Sequence, residues 1–154
     1  MRGKRNAFWL IPPLVLAADR VTKLLSQHLP EEGQVLLPGV VRLRPVMNRG
    51  MAFSLLSGQP VLLGLLSLAV ILGAFFALRG KKLSPLTMTG LMLMLGGAAG
   101  NMLDRFFQGG VPDMIELLFV RFAVFNVADI CLTVGCALVM LSLLLPEKGD
   151  KKDG

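Results

Sequence analysis

The stretch Val61–Leu78, VLLGLLSLAVILGAFFAL, carries no charged side chain, and Arg79, Lys81 and Lys82 follow it at once. Crossing the hydrocarbon core of a bilayer takes about 20 apolar residues, within a range of about 17–25. An apolar run of that length closed by basic residues reads as a membrane helix ending at a charged surface. Three further runs flank it. Residues 7–25 are apolar except for Asp19, Arg20 and Lys23 near their end, residues 86–103 form the third run, and residues 122–145 contain Asp129 as their one acid. The expected fold is an all-α membrane protein, a four-transmembrane-helix bundle forming one domain over 1–154, with spans of approximately 7–25, 61–78, 86–103 and 122–145. Pro12 and Pro13 are expected to kink the first span, which neighbouring helices tolerate.

Composition agrees with lipid as the solvent. Of 154 residues, 54% are hydrophobic and 17% charged, with a mean hydropathy of +0.67. Soluble domains carry roughly 25% charged residues. The net charge of +6 and pI near 9.9 would otherwise suggest a nucleic-acid partner. Here the Lys and Arg residues gather beside the apolar runs, so no nucleic acid is expected. Cys131 and Cys136, five positions apart in one run, point in different directions on a helix, and both read as small buried residues.

Arg2, Lys4 and Arg5 precede the first span, Arg79, Lys81 and Lys82 separate the second and third, and Lys148, Lys151 and Lys152 follow the fourth. Four spans put these clusters on one face, cytoplasmic by the positive-inside rule, with both termini there. Met1–Ala18 also has the outline of a cleavable signal peptide. Cleavage would carry the tail across the membrane and break the agreement among the basic clusters. In the first outer loop, Val40–Val46 alternates Val41 and Leu43 with Arg42 and Arg44, predicting a small β element on the membrane surface.

The polar residues share one depth. Asp19 lies eleven positions beyond Phe8, some ~16 Å along the first helix and past the midplane. Asn101, Asp104 and Arg105 fall at the outer end of the third span, Asn126 and Asp129 in the first turns of the fourth, and Asp113 and Glu116 in the connection between them. The inner halves of spans two to four are uncharged, which disfavours a conduction path and suits chemistry at the outer leaflet. Gly96 and Gly100 form a GxxxG spacing that reads as helix packing.

His28 is the single histidine and GxSxG and HExxH are absent, so neither a Ser–His site nor a zinc-protease site is supported, and no metal is expected. Aspartates are plentiful. Two carboxyls held close together cannot both ionise readily, so one keeps its proton. The ionised member takes a proton from water and the other stabilises the developing oxyanion.

Five segments then resemble the bacterial lipoprotein signal peptidases (signal peptidase II), aspartyl proteases of the inner membrane. They are Asp19-Arg20-Val21-Thr22-Lys23, Asn48-Arg49-Gly50-Met51-Ala52-Phe53-Ser54, Gly96 to Arg105, Val111-Pro112-Asp113-Met114-Ile115 and Phe125-Asn126-Val127-Ala128-Asp129. Together they extend from the first span to the fourth. The resemblance implies a catalytic dyad at Asp113 and Asp129. It implies polar support around substrate and dyad from Asn48, Asn101, Arg105 and Asn126, and a structural pair in Asp19 and Lys23. It also implies cleavage before a diacylglyceryl-modified cysteine at the outer face of the cytoplasmic membrane, with no cofactor, prolipoproteins and membrane lipid as partners, and a monomeric chain. Pro112 departs from the family pattern, where an aliphatic residue is commoner, and is expected to affect the aim of Asp113.

The residues also admit plainer readings. Asp104 is expected to be a solvated acid at a helix end, Asn126 a helix cap, and Arg42, Arg44 and Arg49 solvated or in contact with headgroups. Two rival functions use the same acids: a small ion- or proton-coupled transporter, and a non-enzymatic assembly factor.

Overall fold

The computed structural model describes residues 7–50 and 58–145. Met51–Ser54 of the second segment and the basic clusters at both termini lie outside that range. After a 3-10 turn at Phe8–Leu10, four helices follow in chain order: α1 (Ile11–Ser26), α2 (Pro60–Leu78), α3 (Pro85–Gln108) and α4 (Val127–Leu144). Local chemistry sets their ends. Pro60 and Pro85 occupy first-turn positions, where a missing N–H costs nothing. Ser84 caps α3 by accepting from the Thr87 N–H at 3.1 Å, and Gly109, at φ 68°, closes it in the left-handed region.

The β content exceeds the single strand expected around 40–46. Strands β1 (Gln34–Leu37), β2 (Val41–Asn48) and β3 (Val111–Leu117) form an antiparallel sheet in the order β1-β2-β3. β3 occupies the connection between α3 and α4. Pro112 sits opposite Met47 on this outer strand, where a residue lacking an N–H is tolerated. Asp113 therefore stands on a paired strand, opposite Val46.

Two expected boundaries move. The third helix runs five residues past position 103, to Gln108, which brings Asp104 inside its last turns. The fourth begins at Val127, not 122. Phe125 is extended and bridges to Ile115, its N–H donating to the Ile115 carbonyl at 3.0 Å. Apolar side chains at 122–125 hid that break from hydropathy.

Glycines bring the helices together. A Cβ on Gly96 would stand 2.7 Å from the Val15 Cβ, and one on Gly100 2.8 Å from the Asp19 carboxylate, so this face of α3 lies against α1. Gly97 faces α4, where a Cβ would stand 2.5 Å from the Ala128 carbonyl, and a Cβ on either Gly90 or Gly135 would stand 2.6 Å from the other's carbonyl. Small residues allow such close backbone contact. Gly90→Val should accordingly lower stability by about 1–3 kcal/mol through overpacking, read as a fall in the thermal midpoint in detergent. An unchanged midpoint would contradict the tight α3–α4 crossing.

The side chains are distributed inside out for a soluble domain. Among the described residues, Lys23, Asn126, Asp19, Asp104 and Asp113 are among the largest fully buried ones, while Phe107 is 82% and Leu144 80% exposed. Extensive exposed apolar surface marks contact with a membrane or a partner. By length and composition, α3 and α4 are long and apolar enough to cross a bilayer; α2 is apolar over the shorter stretch Pro60–Phe76.

Candidate active site

The site forms where the C-terminal ends of α1 and α3 and the N-terminal end of α4 meet β2 and β3. Asn126 is its keystone. Its extended backbone caps α4, and its Oδ1 accepts from the Asp129 N–H at 2.9 Å. The Asp129 Oδ2 accepts in return from the Asn126 N–H at 3.2 Å, completing a reciprocal capping box. With Oδ1 so engaged, the Asn126 Nδ2 points inward and donates to the Asp113 Oδ1 at 2.6 Å. Asn126 thus holds both carboxylates, Asp113 through its side-chain amide and Asp129 through its backbone N–H.

Asn48 and Asn101 complete the ring. Asn48, at the end of β2, donates from Nδ2 to the Asp113 Oδ2 at 2.9 Å while its Oδ1 accepts from the Gly50 N–H at 3.0 Å. Asn101 donates from Nδ2 to the Asp129 Oδ1 at 2.8 Å. Its Oδ1 receives the Lys23 ammonium at 2.9 Å and the Asn126 amide at 3.2 Å. An ammonium can only donate, so the Asn101 amide has one permitted orientation.

Behind the ring lies a buried ionic cluster. Lys23 meets Asp19 at 2.7 Å and Asp104 at 2.6 Å, and Arg20 closes on the other oxygen of Asp104 at 2.9 Å. Asp104 is 0% exposed, which overturns the expectation of a solvated acid. Its charged partners lie in α1, some 80 positions away, so only the Gln108 amide, which donates to it at 2.8 Å, is near it in the chain. The Asp19 Oδ1 also accepts the Ala128 N–H at 3.1 Å, tying α1 to the first turn of α4. Asp19 and Lys23 are therefore paired, but as part of a four-charge cluster.

Arg105 donates to the Asn101 carbonyl at 3.2 Å and, more weakly, to the Gly50 carbonyl at 3.4 Å. It borders the ring without touching either aspartate's oxygens through a hydrogen bond. Arg42 donates to Glu116 at 2.7 Å and holds that carboxyl below its usual range, with Arg44 at 3.4 Å from the same oxygen. Arg42 and Arg44 thus pair with Glu116 on the sheet while their side chains stay about a third exposed. The His28 side chain donates from Nδ1 to the Leu24 carbonyl at 3.2 Å and makes no hydrogen bond to the ring among the described residues. No cluster suited to a metal ion occurs among the described residues.

Burial raises the Asp113 carboxyl from 3.8 to about 6, opposed by the Asn48 bond and reinforced by the nearby Asp129 charge. In the unfolded chain this acid ionises near 3.8, whereas in the folded state ionisation waits until about 6. The penalty on folding is therefore absent at low pH, grows between those values and is complete above about 6. Asp113→Asn should raise stability above pH 6 by up to about 3 kcal/mol, with the gain vanishing towards pH 4. Thermal midpoints of both forms across that range check this; a constant gap would contradict it.

Fold and cluster together define a helical membrane protein with a buried acid–amide centre at one end of its bundle. The chain belongs to the signal peptidase II family: the model for "Signal peptidase (SPase) II" matches residues 11–145. It is similar to the lipoprotein signal peptidase of Gloeobacter violaceus, 41% identical over 96% of this chain and 87% of that one. The Streptococcus pneumoniae lipoprotein signal peptidase is 37% identical, over 94% of this chain and 96% of its own. Two solved structures, both bacterial membrane enzymes determined by the in meso method, superpose with TM-scores of 0.84 and 0.80. They are 26% and 25% identical and cover 95% and 94% of this chain, and 95% of each of their own.

Proposed function

We propose that this chain is an aspartic endopeptidase that removes signal peptides from diacylglyceryl-modified prolipoproteins, with Asp113 and Asp129 as its dyad. Membership of the family supports the substrate class. The observation that carries the mechanism is the grip of Asn126 on both carboxylates, 2.6 Å to Asp113 and 3.2 Å to Asp129.

The two acids have unequal surroundings. Asp113, 2% exposed, is the member that keeps its proton, consistent with its raised ionisation. Asp129 receives N–H groups from Asn126 and Asn101 and sits in the first turn of α4, where the helix dipole favours an anion. Asp129 takes a proton from water, which attacks the scissile carbonyl, while Asp113 donates to the carbonyl oxygen. The intermediate then collapses as a proton passes to the departing nitrogen. The lipid-modified cysteine becomes the new amino terminus. Asn101, Asn126 and Asn48 keep the acids in place; Arg105 borders the space for substrate.

The proposed orientation has four spans, both termini cytoplasmic and this centre at the outer face of the bacterial cytoplasmic membrane; the basic residues flanking the apolar runs support it. A monomer contains every group used. Incubating the purified chain with a diacylglyceryl-modified precursor peptide tests the reading: cleavage immediately before the modified cysteine is expected. An intact peptide under conditions that keep the protein folded would overturn it.

A further inference from the structure

A cleft of about 610 Å³ opens between α2 and α3, running from the turn that joins them to within one helical turn of Asn101 and Asp129. Apolar side chains line it, from Met88 near the start of α3 to Ala98 and Leu132 at its inner limit, with Phe75 on the α2 side. Arg79 and Lys81 stand on the same lining, in the turn that joins the two helices. The ten residues of rise from Met88 to Ala98 make the cleft roughly 15 Å deep. A bilayer's hydrocarbon core is about 30 Å thick, so the cleft is about one leaflet deep.

The geometry points to a site for one anionic phospholipid of the cytoplasmic leaflet, its phosphate on Arg79 and Lys81 and an acyl chain in the cleft. The inference rests on the orientation adopted above and is independent of proteolysis. Charge selects the occupant. Two cations beside an apolar slot one leaflet deep match a head that is negative and a tail of that length. A signal peptide would also offer an apolar segment, but its basic start would meet Arg79 and Lys81 with like charge. Among the described residues neither cation forms an ion pair.

Lys82 provides the control, because it belongs to the same turn but does not line the cleft. The full chain, reconstituted in nanodiscs of mixed phosphatidylcholine and phosphatidylglycerol, is released and its retained lipids counted by native mass spectrometry. One phosphatidylglycerol per chain is expected, its binding weakened roughly 30-fold by Arg79→Gln with Lys81→Gln and unchanged by Lys82→Gln. Cleavage of a lipidated precursor in detergent should be the same in all three proteins, which separates this result from the fate of the proteolytic reading. Equal loss in the Lys82→Gln protein would reduce the effect to general surface charge and overturn the site. So would equal retention of phosphatidylcholine, or displacement of the lipid by the precursor peptide.

Discussion

Asp129→Asn and Asp113→Asn should each lower the rate of signal-peptide cleavage by at least about 10³-fold while leaving substrate binding nearly intact. The two losses have different causes. An amide at 129 cannot accept a proton from water, so the nucleophile is never generated. An amide at 113 keeps a donor, but it cannot give up a proton to the carbonyl oxygen as that oxygen gains charge. Both substitutions preserve size, and Asn126 can still bond to the carbonyl oxygen of either new amide. Loss should therefore fall on kcat more than on KM. Rate constants under saturating lipidated precursor, with binding followed separately, measure this. Activity above a tenth of the parent's in either variant would remove that residue from the dyad.

Lys23→Met is expected to have the largest effect on stability. Its ammonium spends its three protons on Asp19 at 2.7 Å, Asn101 at 2.9 Å and Asp104 at 2.6 Å, in a setting where the lysine is 1% exposed. Taking it away leaves two buried carboxylates balanced by Arg20 alone. Breaking a buried ionic arrangement by removing one partner costs about 3–5 kcal/mol, because the remaining charge is uncompensated. Combining Lys23→Met with Asp104→Asn removes one charge of each sign, and should recover much of the thermal midpoint. It should not recover kcat, since the Asn101 carbonyl still lacks the ammonium that orients its amide towards Asp129. A double variant with full activity would show that Lys23 only stabilises the fold.

Much of the fold is legible in the chain because apolar length and basic flanks are local signals. Val61–Leu78 and its closing arginine and lysines announce α2 almost to the residue. Boundaries set by chemistry other than hydropathy are harder to see. Phe122–Phe125 is apolar yet extended, and Asn126 was the better guide to where α4 begins. β3 escaped because Pro112 interrupts its run, although an outer strand admits proline there.

The candidate site divides the same way. Asn101, Asp113, Asn126 and Asp129 stand out as polar groups at one depth and Asn48 through the family resemblance alone, and the structure brings all five into one hydrogen-bonded ring. Asp104 reads as solvated from sequence because its charged partners, Lys23 and Arg20, arrive from another helix. Spacing within a segment reveals which face a residue takes, not which distant charge will meet it.

If Asp113 and Asp129 share one task, removing both should hurt little more than removing either. Single-turnover cleavage of a diacylglyceryl-modified precursor by Asp113→Asn, Asp129→Asn and the combined variant measures this directly. The expected rates are the same within a few-fold for all three. Independent losses that multiply in the combined variant would contradict a dyad working as one unit.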